Sequence, residues 1–230
     1  MTLQRILDII FSGLALLFLA PLLLPVTLLL RLTGEGEIFF LQERVGKDGK
    51  PFKLYKFATM LKNSPIIGTG TVTVKNDPRV LPMGRFLRKT KINELPQLLN
   101  ILLGSMSIVG PRPQARKNFE AFPKNLQQLI TRVKPGLSGV GPIVFRAEED
   151  ILAGLGGNVN FYDKVIAPYK GQVEAWYVEN QSLYTYFQVI FVTIYVVMFS
   201  SSTLVWQVFK GLPIPPDELK GLLNYPATRA

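Results

Sequence analysis

Two long uncharged runs frame the chain. The first, Ile9 to Leu30, holds 22 residues without a charge. As one straight helix it would measure roughly 33 Å, enough to cross a hydrocarbon layer of roughly 30 Å. Pro21 and Pro25 interrupt it, and each removes a backbone N–H and crowds the turn before it. Division at Pro21 leaves arms of about 12 and about 10 residues, roughly 18 and 15 Å long. Neither arm spans. The pattern predicts a helix–break–helix that enters the bilayer and returns to the same face, with Arg5 and Arg31 holding both ends on the cytoplasmic side. A kinked spanning helix is the rival reading. A cleaved leader is not expected, because no small-x-small site follows and Pro21 breaks the run. The second run, Asn180 to Phe209, extends over 30 residues and is diluted by Gln188 and Ser200-Ser201-Ser202. Its Tyr and Trp content favours helices lying at the membrane interface over a second span.

Between these runs the periodicity changes. Glu37–Gln42 and Phe52–Thr59 alternate as strands, and Gly46-Lys47-Asp48-Gly49 supplies a turn, so a hairpin is predicted. Ser64–Gly70 reads as a loop, and Gly68-Thr69-Gly70-Thr71 lacks the Gly-Lys-Ser/Thr of a phosphate loop. Asn93 suits an N-cap, with Glu94, Leu95 and Pro96 in the first helical turn. Leu95, Leu98, Leu99 and Leu102 then form a stripe at helical spacing, Gln97 looks away from it, and Gly104 ends the helix. A further helix is expected over Asn118–Val133, stopped by Lys134-Pro135-Gly136. The stretch after Pro213 reads as irregular. The whole is an α/β (α+β-like) pattern with a re-entrant N-terminal membrane helix, a small sheet or hairpin, and amphipathic interfacial helices.

Composition narrows the chemistry. The 26 Lys and Arg against 16 Asp and Glu give a net charge of +10, suited to nucleic acid or to an anionic membrane face. With 48% hydrophobic and 18% charged residues the balance favours the membrane. The aromatics sit in apolar runs rather than among the basic residues, which argues against nucleic acid. The chain has no Cys and no His. Thiolate chemistry, histidine bases and the usual zinc sites are excluded, leaving carboxylates, Lys, Arg, Tyr, Ser or an oxygen-held metal.

One block concentrates such groups. From Arg88 to Pro113 (RKTKINELPQLLNILLGSMSIVGPRP) a carboxylate, Glu94, stands at the start of an apolar helix between arginines. The block closes on Gly110-Pro111-Arg112-Pro113, a stiff loop with one guanidinium. Cations around one acid at a helix start suit a phosphate and a divalent metal, and arginine forms bidentate bonds to phosphate. The same residues read equally well as a helix-start acid with Arg112 as its surface ion-pair partner. Lys47, Lys50, Lys53, Lys56 and Lys62 read as a solvated basic face. Glu148-Glu149-Asp150 has a metal-site composition but more commonly marks a surface helix start.

The motifs taken together resemble the bacterial sugar transferases, monotopic polyprenyl-phosphate phosphoglycosyl transferases. The resemblance runs from the Pro-broken first helix through Phe52-Lys53-Leu54-Tyr55-Lys56-Phe57, Asn76-Asp77-Pro78-Arg79 and Gly84-Arg85-Phe86-Leu87-Arg88. It continues in Glu94-Leu95-Pro96-Gln97-Leu98, Met106–Pro113, Lys134–Gly139 and Tyr177–Asn180. It implies an enzyme of the bacterial inner membrane with its catalytic domain on the cytoplasmic face, starting capsule, O-antigen, exopolysaccharide or glycoprotein glycan assembly. An aspartate attacks the β-phosphate of a UDP-sugar and expels UMP, and undecaprenyl phosphate then takes the phosphosugar. Carried over, residue 93 holds the nucleophile position, Glu94 serves Mg²⁺, Arg88 and Arg112 hold phosphates, and Arg146 is a substrate-side arginine. The implied organisation is a membrane helix over 1–33, a catalytic domain with interfacial helices over 34–212, and a tail over 213–230. Membrane lipid is a partner, nucleic acid is not, and self-association is compatible with the pattern.

Three positions depart from the family pattern. Asn93 stands where the family has its aspartate nucleophile, Ser105 where an acid usually precedes Met-Ser, and Val140-Gly141-Pro142 where the family has Trp-Ala-Gln. An amide is a poor nucleophile, so an active-site variant that binds the same ligands with little turnover is the alternative expectation.

Overall fold

The computed structural model describes residues 2–33, 35–67, 77–154, 159–199 and 202–226. The chain forms two compact units, Met1–Glu43 with Lys53–Gly104, and Arg44–Phe52 with Ser105–Ala230. The expected turn at Gly68–Thr71, Asn76, and Ser200-Ser201 lie outside the described residues.

The first unit opens with α1 (Leu3–Leu32), one helix of 30 residues that contains both Pro21 and Pro25. The break expected at Pro21 is therefore absent. Each proline forfeits one hydrogen bond, but opening the helix in an apolar medium would strand several more backbone groups, so continuation costs less. One side of α1 buries Asp8, Ser12, Val26 and Leu30 and packs on α3 (Gln97–Leu103). The other side leaves Leu17, Phe18 and Leu24 largely exposed. Strands β1 (Phe39–Val45) and β2 (Pro51–Phe57) pair as the predicted hairpin. Its turn closes through Gly46 N–H donating to Lys50 O at 2.9 Å. Helix α2 (Pro82–Lys89) has its proline in the first turn, where the missing N–H has no cost. Leu87 of α2 joins Val26, Leu30 and Phe57 in this unit's core.

The predicted helix from Asn93 to Gly104 is shorter than expected. Lys91 adopts a left-handed conformation, Ile92–Glu94 form a 3₁₀ turn, and α3 begins only at Gln97 and ends at Gly104. Asn93 lies inside that turn rather than capping a helix. The buried face is Gln97, Leu98, Asn100 and Ile101, so Gln97 does not look outward. The reason is that α3 is gripped from two sides. Asn100 ties it to β2, accepting the Tyr55 N–H at 2.9 Å and donating to Lys53 O at 2.8 Å. Arg5 of α1 caps its C-terminal end, donating to Ile101 O at 2.5 Å and Leu102 O at 2.7 Å. Carbonyls there lack helical partners and attract a cation.

In the second unit β3 (Ser107–Val109) is followed by α4 (Arg116–Glu120), α5 (Lys124–Ile130) and β4 (Gly136–Ser138). The single helix expected over Asn118–Val133 is two, because Pro123 cannot continue the first and instead caps the second. β3 and β4 pair in parallel, Ser107 opposite Gly136 and Val109 opposite Ser138. The approach is so close that a Cβ at Gly136 would strike the backbone of Gly110. Helices α6 (Val140–Val144), α7 (Glu148–Gly154), α8 (Val159–Phe161) and, after a π-helical turn, α9 (Ala167–Glu179) come next. α9 is the centre of the unit: Tyr169, Lys170, Val173, Glu174 and Tyr177 are buried, with α5 and α6 packed on it.

The second uncharged run gives α10 (Leu183–Met198) and α11 (Leu204–Val208). At 16 residues α10 extends roughly 24 Å, short of a bilayer crossing. It buries Val189, Val192 and Val196 and leaves Phe191, Ile194 and Met198 exposed. The stretch after Pro213 is not irregular throughout. It forms α12 (Asp217–Lys220), Leu219 and Leu223 are buried, and the Trp206 indole N–H donates to Leu223 O.

Candidate active site

The first unit carries Arg88, Asn93 and Glu94. Arg88 is in the last turn of α2, half-buried, with Nη1 3.9 Å from the sulfur of Met60. α2 packs against the 3₁₀ turn that holds Asn93 and Glu94, so these three share one corner. The Glu94 carboxylate lies 3.8 Å from Lys56 Nζ, with about a fifth to a quarter of each side chain exposed. Lys56, counted by sequence among a solvated face, thus belongs with the candidate acid. Lys62 does fit that face, pairing with Glu37 at 2.7 Å where both are exposed. Asn93 is 7% exposed and its side-chain oxygen has no hydrogen-bond partner. Arg79, at the end of the Asp77-Pro78-Arg79 motif, is engaged within the first unit. Its buried guanidinium grips both Asp77 oxygens at 2.8 and 2.6 Å and donates to Ser64 O and Ile67 O.

The second unit carries Arg112 and Arg146. Arg112 is half-buried on the loop after β3, and Arg146 follows α6 and is exposed. The Arg112 N–H donates to Glu174 Oε1 at 3.1 Å. Glu174 is 1% exposed. Burial pushes its carboxyl up to about 7, against the opposing pull of the Arg112 N–H and the Lys170 and Arg112 charges. Lys170, one helical turn earlier, is also buried and holds both Glu148 oxygens at 2.6 and 2.7 Å. Burial lowers its pKa while Glu148 works the other way. Glu148 is therefore an ion-pair partner, and the Glu148–Asp150 acids start α7 as a helix.

Sequence reasoning missed Lys170, Glu174 and the pairing of Lys56. A Lys and a Glu four apart, on one face of a helix rich in apolar residues, was the available signal. For Mg²⁺, Glu94 offers one carboxylate, and among the described residues no group of three acids is placed to hold a metal ion. One carboxylate with substrate phosphates and water is a donor set that would hold Mg²⁺.

Residues 1–200 match the profile of the family described as bacterial sugar transferase. The chain is 40% identical over 164 residues to the UDP-glucose:undecaprenyl-phosphate glucose-1-phosphate transferase of Escherichia coli (strain K12), covering 69% of this chain and 35% of that protein. It is 35% identical to the Klebsiella pneumoniae protein of the same name, covering 85% of this chain and 40% of that one. Against the exopolysaccharide production protein ExoY of Sinorhizobium fredii it is 33% identical over 205 residues, 83% of each. The chain thus spans well under half the length of the first two relatives and most of the third. By the extent of these matches, this chain belongs to the bacterial sugar transferase family.

Proposed function

We propose that the chain transfers a phosphosugar from a UDP-sugar to undecaprenyl phosphate at the cytoplasmic face of the bacterial inner membrane. The observation that carries this reading is Glu94, a partly exposed carboxylate beside Lys56 and α2, in the unit that also contains the apolar helix α1. The related E. coli and K. pneumoniae proteins carry that activity in their names. An exposed apolar side on α1 supports attachment to the membrane.

In this reaction the bond between the β-phosphorus and the oxygen bridging to the α-phosphate breaks, UMP leaves, and an oxygen of the lipid phosphate ends up bonded to the β-phosphorus. The family resemblance gives Arg88 of the first unit, and Arg112 and Arg146 of the second, the role of phosphate contacts, for which a guanidinium fork supplies directed, paired bonds. Glu94 with the diphosphate would hold Mg²⁺, whose charge offsets that of the departing UMP. Residue 93 decides the route. The amide of Asn93 has no anionic oxygen to attack phosphorus, so a covalent step through it does not follow. Glu94 can replace it only by moving, and misplacement by about 1 Å costs about 100-fold. Direct attack by the lipid phosphate needs no covalent intermediate and gives sequential kinetics. Slow turnover with ligand binding retained is the second reading, favoured by the buried Asn93.

Binding of UDP-sugars to the detergent-solubilised chain tests the site. Affinity should depend on Mg²⁺ and should fall in Arg112→Lys, where charge is kept but the fork is lost. Unchanged affinity in Arg112→Lys and Glu94→Gln, with no metal effect, would leave these residues purely structural.

A further inference from the structure

We infer that Glu174 is a positioning residue that sets the Gly110–Pro113 loop and, through it, the Arg112 guanidinium that faces the substrate diphosphate. The inference rests on the functional reading above and adds a residue that neither composition nor motif singled out.

The loop has few donors. Pro111 and Pro113 have no N–H, so the Arg112 N–H is the one backbone donor of that tripeptide. It goes to Glu174 Oε1 at 3.1 Å. The flanking backbone is tied elsewhere: Gly110 N–H donates to Ser138 O and Gly136 N–H to Pro111 O, both at 2.9 Å. The strand bonds fix the start of the loop, and Glu174 fixes the residue that carries the guanidinium. A full carboxylate is committed to this single bond. Its other oxygen, Oε2, is buried with no partner, and Lys170, the nearest cation on its own helix, is taken by Glu148.

The slot for that carboxylate is made by Gly141. A Cβ at this position of α6 would run into the Glu174 carboxylate, the first atoms it would meet. Gly141 belongs to the Val140-Gly141-Pro142 segment, where this chain departs from the family pattern and its alanine. Side-chain size at 141 and acid length at 174 are therefore linked. A methyl at 141 requires a shorter acid at 174, and the Arg112 N–H reads out whether the acid still reaches.

Equilibrium binding of UDP to the full chain in detergent tests this, with thermal melting as a check on folding. Gly141→Ala should weaken UDP binding by about tenfold, the loss expected when a hydrogen bond to a charged acceptor is broken. Adding Glu174→Asp to Gly141→Ala should restore most of it, a rescue that general destabilisation would not give. Glu174→Gln, which keeps an acceptor oxygen, should bind more tightly than Glu174→Ala. Wild-type affinity in Gly141→Ala, no rescue in the double variant, or equal losses in the Gln and Ala variants would each overturn the inference. In those cases UDP binding by the unaltered chain and its loss in Arg112→Ala would leave the functional reading intact. Absence of UDP binding by the unaltered chain would remove both.

Discussion

Glu174 also makes stability depend on pH in a direction that can be worked out in advance. Burial raises its carboxyl from 4.5 to about 7 in the folded chain. The groups acting on it are Lys170 on its own helix, Arg112 on the loop and Glu148 on α7, while α6 (VGPIV) contributes no charge. The native state binds this proton more tightly than the unfolded state does. Its contribution is therefore complete below about 4.5 and is lost as pH rises through about 7. The full loss corresponds to roughly 3 kcal/mol. Glu174→Gln has no proton to lose and keeps the acceptor for Arg112, while Lys170 and Glu148 are present in both proteins and largely cancel in the comparison. Melting in detergent at pH 5 and pH 9, which captures about 2.5 kcal/mol of that loss, should show the variant gaining on the unaltered chain by about 5–10 °C, at roughly 2–4 °C per kcal/mol for a chain of this size. Parallel melting curves across that range would refute the assignment of a raised carboxyl to Glu174.

Two further outcomes follow from the first unit. Asn100→Leu should cost roughly 2–4 kcal/mol in denaturant unfolding, because the Tyr55 N–H and Lys53 carbonyl lose their partner on α3; an unchanged midpoint would mean that the tie is redundant. Single cysteines at Thr2 and Glu35 of this cysteine-free chain should both be shielded from a periplasmic label, since arginines near both ends of α1 favour the cytoplasmic side. Labelling of only one site would mean that α1 crosses the membrane.

Much of the fold was legible where local chemistry decides it. The hairpin follows from alternation in EIFFLQ and FKLYKFAT around a Gly-Lys-Asp-Gly turn, and the end of α3 follows from Gly104. The misses occur where distant contacts override local rules. Pro21 looks like a breaker in sequence, yet an apolar helix has little to gain by opening there. Gln97 looks like an outward polar residue, but α1 and β2 grip α3 from two sides. The β3–β4 pair is three residues long on each strand, too short for periodicity, and depends on glycines whose need for contact is visible only in space. Arg88 and Glu94 in the first unit, and Arg112 in the second, are candidates that the motif alone supplies. Lys56 was not, because its pairing with Glu94 crosses from the hairpin to the turn after α2. Glu174 was not, because its partner is a backbone N–H more than sixty residues away.

The central claim, transfer of a phosphosugar with residue 93 limiting the rate, is tested most directly by UMP release. The unaltered chain and Asn93→Asp are supplied with a panel of UDP-sugars, with and without undecaprenyl phosphate. Asn93 caps no helix and is buried in a 3₁₀ turn, and aspartate is nearly its isostere, so the exchange should preserve the fold. The account predicts slow UMP release from the unaltered chain that requires the lipid phosphate, and faster release from Asn93→Asp. Absence of UMP release from both proteins with every UDP-sugar, or fast release from the unaltered chain with no gain in Asn93→Asp, would contradict it.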